Sequence, residues 1–202
     1  MIVGVVMVVL ALSVIGFGIY KIHNVKLEED ELKLPIELVP LSMHGFNVRS
    51  RLNTEQWQRI CNVAHGRYEN RVQVCEICGS TGKQQGFNHS LECHEQWEYN
   101  TTTKTQKLVR LRSICPMCHK VFHYGLSVKK GYGERALQHF IKVNNLTCEQ
   151  ADQYIMKVKA QIKLKSKVEW QLDLTYLNQN QFKFLKTTFN DREKYNCQFY
   201  EF

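Results

Sequence analysis

The apolar residues of this chain fall into three rhythms: one unbroken run, several helical stripes and a few alternations. The unbroken run comes first. Residues 1–20 carry no charge and one clearly polar side chain, Ser13. Twenty helical residues span about 30 Å, the thickness of a bilayer's hydrocarbon core, so the run predicts a transmembrane helix. A secretory signal would need basic residues ahead of the run and a small-residue cleavage site behind it; the run has neither. Lys21, Lys26 and Lys33 follow it, and the positive-inside rule then places the remainder in the cytosol, at a bacterial inner membrane if the source is a bacterium or phage. Residues 21–50 hold an acidic cluster, Pro35 and Pro40, and no sustained periodicity. They read as a linker.

The periodic part predicts a folded domain over 51–178. Asn53 or Thr54 is an N-cap for a helix that turns Trp57, Ile60, Cys61 and Ala64 to a core. Leu91 to Tyr99 reads as a strand and Leu108 to Ile114 as a second extended segment. A helix over Glu134 to Val143 buries Ala136, Leu137, Phe140 and Ile141. Thr147 and Gln150 form a capping box for a longer helix with Ala151, Tyr154, Ile155, Val158 and Ile162 inward. The five lysines from Lys157 to Lys167 are its solvated face. Val168 to Leu177 alternates and predicts a strand. The tail 179–202 has no assignable pattern. The class is α+β.

Cysteine placement adds chemistry. Four of the eight cysteines form two pairs, Cys75-Glu76-Ile77-Cys78 and Cys115-Pro116-Met117-Cys118. Two Cys-x-x-Cys pairs at the ends of a short module point to a structural Zn2+ site rather than to disulfides. The other four, Cys61, Cys93, Cys148 and Cys197, lack such partners and read as small buried apolar residues. His119 follows the second pair at once, and a helix over Cys118 to His123 sets His119 and His123 on one face. With His94 these imidazoles can hold a second divalent ion, Mg2+, Zn2+ or another transition metal, with positions left open for substrate.

Charge narrows the partner. The formal net charge is +8, and residues 101–135 carry eight cations against Glu134 alone. Arg110, Arg112, Lys120, Lys129 and Lys130 surround the second cysteine pair and its histidines. A basic field around a metal site suits a phosphate-bearing partner, so these five are the candidate nucleic-acid contacts.

The strings Cys75-Glu76-Ile77-Cys78, Leu91-Glu92-Cys93-His94-Glu95-Gln96-Trp97-Glu98-Tyr99 and Lys107 to Gly125 together resemble the HNH endonuclease superfamily, and more closely a group of small bacterial and phage HNH endonuclease-like proteins. The likeness covers roughly residues 41–178. It implies a ββα-metal core stapled by the four-Cys zinc site, with flanking helices, and a metal-dependent nuclease acting on DNA. His119 matches the family's helical metal ligand, and His123 joins it one turn on. In one register His94 is the general base and Cys93 replaces a ligand. In the other His94 is a ligand and Glu95 occupies the base position. The candidate catalytic residues are thus His94, Glu95 and His119. The family's central Asn stands five residues before the second cysteine pair, where this chain has Arg110. With the apolar run, the whole reads as a membrane-anchored nuclease at the cytosolic face, suggesting defence or superinfection exclusion. The alternative is a non-catalytic zinc module that binds nucleic acid or protein at the membrane.

Overall fold

A computed structural model of the chain describes residues 32–192. The order of elements is helix α1 (Thr54–Ala64), strands β1 (Glu92–Asn100) and β2 (Thr105–Ile114), helices α2 (Pro116–Phe122), α3 (Tyr124–Lys129), α4 (Gly133–Asn144) and α5 (Cys148–Lys165), and strand β3 (Gln171–Asp173). The architecture is α+β, as the periodicity predicts. β1 and β2 form an antiparallel hairpin with a bulge between Gln96 and Trp97, and β3 pairs parallel to the start of β2.

Local chemistry sets the helix ends. Asn53 caps α1 and exchanges hydrogen bonds with Gln56, and Thr147 caps α5 and does the same with Gln150. These reciprocal bonds satisfy backbone donors that the first helical turn leaves without partners. Cys115 caps α2, its sulfur accepting from the Cys118 amide, and Pro116 takes the first helical position, where no N–H is needed. α2 therefore begins earlier than the expected Cys118, and its start is the second cysteine pair itself.

The hairpin separates two apolar cores. One gathers Leu34, Ile36, Ile114, Val121, Phe122, Phe140, Tyr154 and the cysteines Cys75, Cys115 and Cys118. The other gathers Val48, Ile60, Leu108, Leu111, Trp170, Leu172, Phe182 and Phe189. Side chains alternate across a strand, so consecutive residues of β1 serve different cores: Cys93 and Trp97 pack with the second, while the His94 ring stacks on Phe122 of the first.

Four expectations need correction. The expected linker is, from residue 32 onward, part of the domain. Leu34, Ile36, Met43 and Val48 are buried, and Asn144 brackets Leu34 with two hydrogen bonds, accepting from its amide and donating to its carbonyl. The polar residues between these positions hide that role in the sequence. The expected strand 168–177 shrinks to Gln171–Asp173, because the chain turns at Leu174 into a 3-10 segment over Thr175–Asn178. The domain continues past 178, since Phe182, Leu185 and Phe189 bury against Trp170 and Leu174. Cys148 is exposed at the first turn of α5 rather than buried, and Cys197 lies outside the described residues.

The single-pass membrane assignment is also overturned. No helix among the described residues is long and apolar enough to cross a membrane. Residues 1–20, on which that assignment and its cytosolic orientation rested, lie outside the described residues.

Candidate functional site

Two ligand clusters flank α2. At its start, the sulfurs of Cys75, Cys78, Cys115 and Cys118 all lie within 4.8 Å of one another. Tetrahedral Zn–S bonds of about 2.3 Å require sulfurs about 3.8 Å apart, and Cys78 and Cys115 stand 3.5 Å apart. The donor set therefore fits a closed structural ion. Amide donors reinforce it: Ile77 N donates to Cys75 Sγ at 3.4 Å, and Gln85 Nε2 donates to Cys115 Sγ at 3.1 Å. His139 Nε2 lies 3.2 Å from Cys118 Sγ, a contact that sequence reasoning missed. Side-chain hydrogen bonds with Cys115, Cys75 and Cys78, and burial after them, push the Cys118 thiol far above its usual range. Four sulfurs at this spacing become a set of thiolate ligands when a divalent cation displaces their protons, which is the chemical case for metal here.

At the end of α2, ligand nitrogens of His94, His119 and His123 likewise lie within 4.8 Å of one another. The ring centroids of His119 and His123 are 4.7 Å apart, and those of His94 and His123 are 5.1 Å apart. The i, i+4 step puts the two helical imidazoles on one face, and β1 presents His94 to them. Burial, followed by the nearby His119, lowers the His94 pKa well below its ordinary value and that of His123 to about 3. Both rings are thus neutral at physiological pH, the form that ligates a metal.

Two carboxylates orient these rings. His119 Nδ1 donates to Glu92 Oε2, which leaves Nε2 of His119 as the lone pair. Glu92 also accepts from His89 Nε2 at 2.6 Å. Burial pushes the Glu92 carboxyl up, but the hydrogen bonds and charges of His119 and His89 outweigh it and hold the pKa near 2. Glu37 Oε2 stands 3.4 Å from His94 Nε2, while Nδ1 of His94 is buried with no hydrogen-bond partner. An orphaned, neutral imidazole nitrogen beside two others fits a divalent ion. Glu92 was legible in principle, because it sits two residues before His94 on the same strand face. Glu37 was not, being far away in sequence.

Glu95 is the main surprise among the expected catalytic residues. It follows His94 in β1 and so points to the opposite face. Its carboxylate accepts from the Arg49 amide at 3.2 Å. Burial raises its pKa to about 7, against the backbone amides of Arg49 and Val48, which pull it down. It is not gathered with the imidazoles.

The candidate nucleic-acid contacts separate as well. Arg112 pairs with His94 across the hairpin, and its Nε donates to Gln96 Oε1 at 2.7 Å. Arg110 instead turns to the first cysteine pair: its Nη2 donates to Glu76 Oε2 at 2.7 Å, and Oε1 of Glu76 accepts from the Ser113 amide. Lys120 Nζ lies over the Tyr132 ring at 4.2 Å. Lys129 and Lys130 are exposed at the end of α3.

No family model, curated protein or solved structure matches this chain. The functional reading therefore stands on the residues and their geometry.

Proposed function

We propose that the chain is a metal-dependent nuclease of the HNH type that hydrolyses phosphodiester bonds of DNA. The observation that carries this reading is the convergence of His94, His119 and His123 beside a separate four-Cys cluster. Closed thiolate sites serve structure, whereas three-imidazole sites leave positions for substrate. His94, His119 and His123 would hold the ion, which when bound supplies Lewis acidity toward a phosphate oxygen. The chain's own part is orientation and charge. Glu92 fixes the His119 tautomer, Glu37 approaches His94, and Arg112 sets a cation next to His94 on the same sheet face. His119 is the most open of the oriented ligands, with 28% of its side chain exposed. Of the two registers, convergence favours His94 as a ligand.

The binding-module reading draws on one observation: the carboxylate expected at the base position, Glu95, binds the Arg49 amide on the other sheet face. Nicking of supercoiled plasmid, with Mg2+, Mn2+, Zn2+ or Ni2+ added singly, tests both. The nuclease reading expects nicking that His119→Ala abolishes. Absence of nicking with every ion, while zinc stays bound, refutes it and leaves the non-catalytic module.

A further inference from the structure

Next to the imidazole cluster lies a cavity of about 380 Å3, walled by residues 32–39, the sheet and α5. That volume is in the range of sites that hold small molecules. Cavity and triad share walls. Phe122 lines the cavity and stacks on His94 with ring centroids 4.1 Å apart. Glu37 lines it and stands 3.4 Å from His94 Nε2. Gln96 lies two residues beyond His94 in β1, and the bond it accepts from Arg112 fixes the two side chains together on the cavity wall.

The lining has a definite chemical character. Tyr99, Tyr154 and Phe122 supply aromatic surface, and Gln96 and Gln161 supply amides that can pair with donor–acceptor edges. Lys33, Arg112 and Lys165 face Glu37 alone, a local balance of +2. Lys165 Nζ lies 4.8 Å over the Tyr99 ring, so a cation and an aromatic face meet inside the site. A ligand matching this set has a planar ring with a hydrogen-bonding edge and carries an anion.

Seating decides how such a ligand relates to its strand. A base that lies in the cavity, its face on the aromatic rings and its edge at Gln96 and Gln161, is at the same time out of its stack and away from its pairing partner.

We propose that this cavity is a nucleotide subsite that takes one unstacked nucleotide beside the phosphate at the imidazole triad, so that the nucleic acid handled is single-stranded or locally unpaired. The link to cleavage rests on the nuclease reading; the binding of a nucleotide does not. Trp97 lines the cavity and reports on it. Intrinsic fluorescence of the zinc-loaded chain, titrated with deoxynucleoside 5′-monophosphates, should change saturably, and inorganic phosphate should leave it unchanged. Gln161→Ala and Lys165→Ala lie on half-buried positions of α5. They should weaken binding more than about 10-fold, roughly the loss of one charge-assisted hydrogen bond, with the circular-dichroism spectrum intact.

A second arm separates a free nucleotide from one within a strand. An unlabelled single-stranded oligonucleotide should displace the monophosphate, whereas its fully paired duplex should not. Displacement by the duplex as effectively as by the single strand overturns the proposal. So does a fluorescence response to phosphate alone, or one unaffected by both α5 substitutions. Saturable nucleotide binding by a chain that cleaves nothing upholds the subsite and removes the nuclease reading. Cleavage without nucleotide binding does the reverse.

Discussion

Glu95→Gln separates a structural carboxylate from a catalytic one. Glu95 is held on the α1 side of the hairpin, where burial raises its pKa from 4.5 to about 7. The sign follows from linkage. Below the unfolded-state pKa the side chain is protonated in both states, so it neither gains nor loses stability. As pH rises through the window from 4.5 to about 7, the unfolded chain releases its proton first, and the folded state loses ground. A shift of that size amounts to about 3 kcal/mol by the upper end of the window. Glutamine has no proton to lose and keeps an oxygen for the Arg49 amide. The free-energy difference between Glu95→Gln and the wild type should therefore grow in the variant's favour by about 3 kcal/mol between about pH 4.5 and about pH 8. Any constant offset from the new NH2 group drops out of that comparison. Urea unfolding followed by tryptophan fluorescence at both pH values measures it. A difference that does not change with pH refutes the burial argument. Plasmid nicking supplies the functional half: the variant should keep its rate within a few-fold. A loss of about 100-fold, the low end for removal of a general base, would mean that Glu95 reaches the substrate after all.

Three further substitutions probe the two clusters. Cys115→Ser removes a thiolate that is also the cap of α2, and structural zinc sites contribute roughly 10–16 kcal/mol of apparent binding energy. Elemental analysis should show one zinc fewer per chain, with loss of a cooperative melt; an intact melt without zinc refutes the structural role. Gly82→Ala would drive a Cβ into the His89 carbonyl oxygen and set it 2.9 Å from Pro116, so the loop that carries Gln85 must shift. A cost of at least about 1–3 kcal/mol is expected, and an unchanged melting temperature would show that the loop relaxes freely. Glu92→Gln should weaken divalent-ion binding at the imidazole triad about 10–100-fold while the zinc content stays constant. Equal affinity in a calorimetric titration would remove Glu92 from the site.

What the sequence disclosed depended on the distance over which each signal acts. The Thr147–Gln150 capping box, an N-cap at Asn53 or Thr54 and the i, i+4 histidines were legible because their partners lie within one helical turn. The four-Cys cluster was legible because thiolate spacing encodes a turn. Glu37 was not, since Leu34 and Ile36 alternate with Lys33, Pro35 and Glu37 in a stretch that reads as a linker until Asn144 and Phe122 supply partners. The fate of Glu95 was half-legible. Strand alternation alone places it opposite His94, and only a family register argued otherwise. The alternation of Trp170, Leu172 and Leu174 was visible, but the sheet offers β3 only the first three residues of β2, so most of that pattern packs without pairing.

The placement of Arg110 ties these observations together. In the HNH pattern its position belongs to an asparagine that shapes the hairpin. Here its guanidinium reaches Glu76, inside the first Cys-x-x-Cys turn, and the same carboxylate takes the Ser113 amide, while Glu76 N donates to Ser113 O at 3.0 Å. The cysteine turn is thereby bonded to β2 at the residue that faces Cys93 across the hairpin. The exposed ion pair contributes little stability by itself. The backbone bond and the carboxylate bridge matter more, because they fix the angle at which β1 presents His94 to α2. α2 is anchored at its start by thiolates and carries imidazoles at its end, so any tilt about the cysteine cluster moves His119 and His123 relative to His94. Preorganised sites lose activity when their ligands are displaced by even an ångström. The thiolate cluster and the imidazole site thus share one short helix, and the position of α2 is common to both.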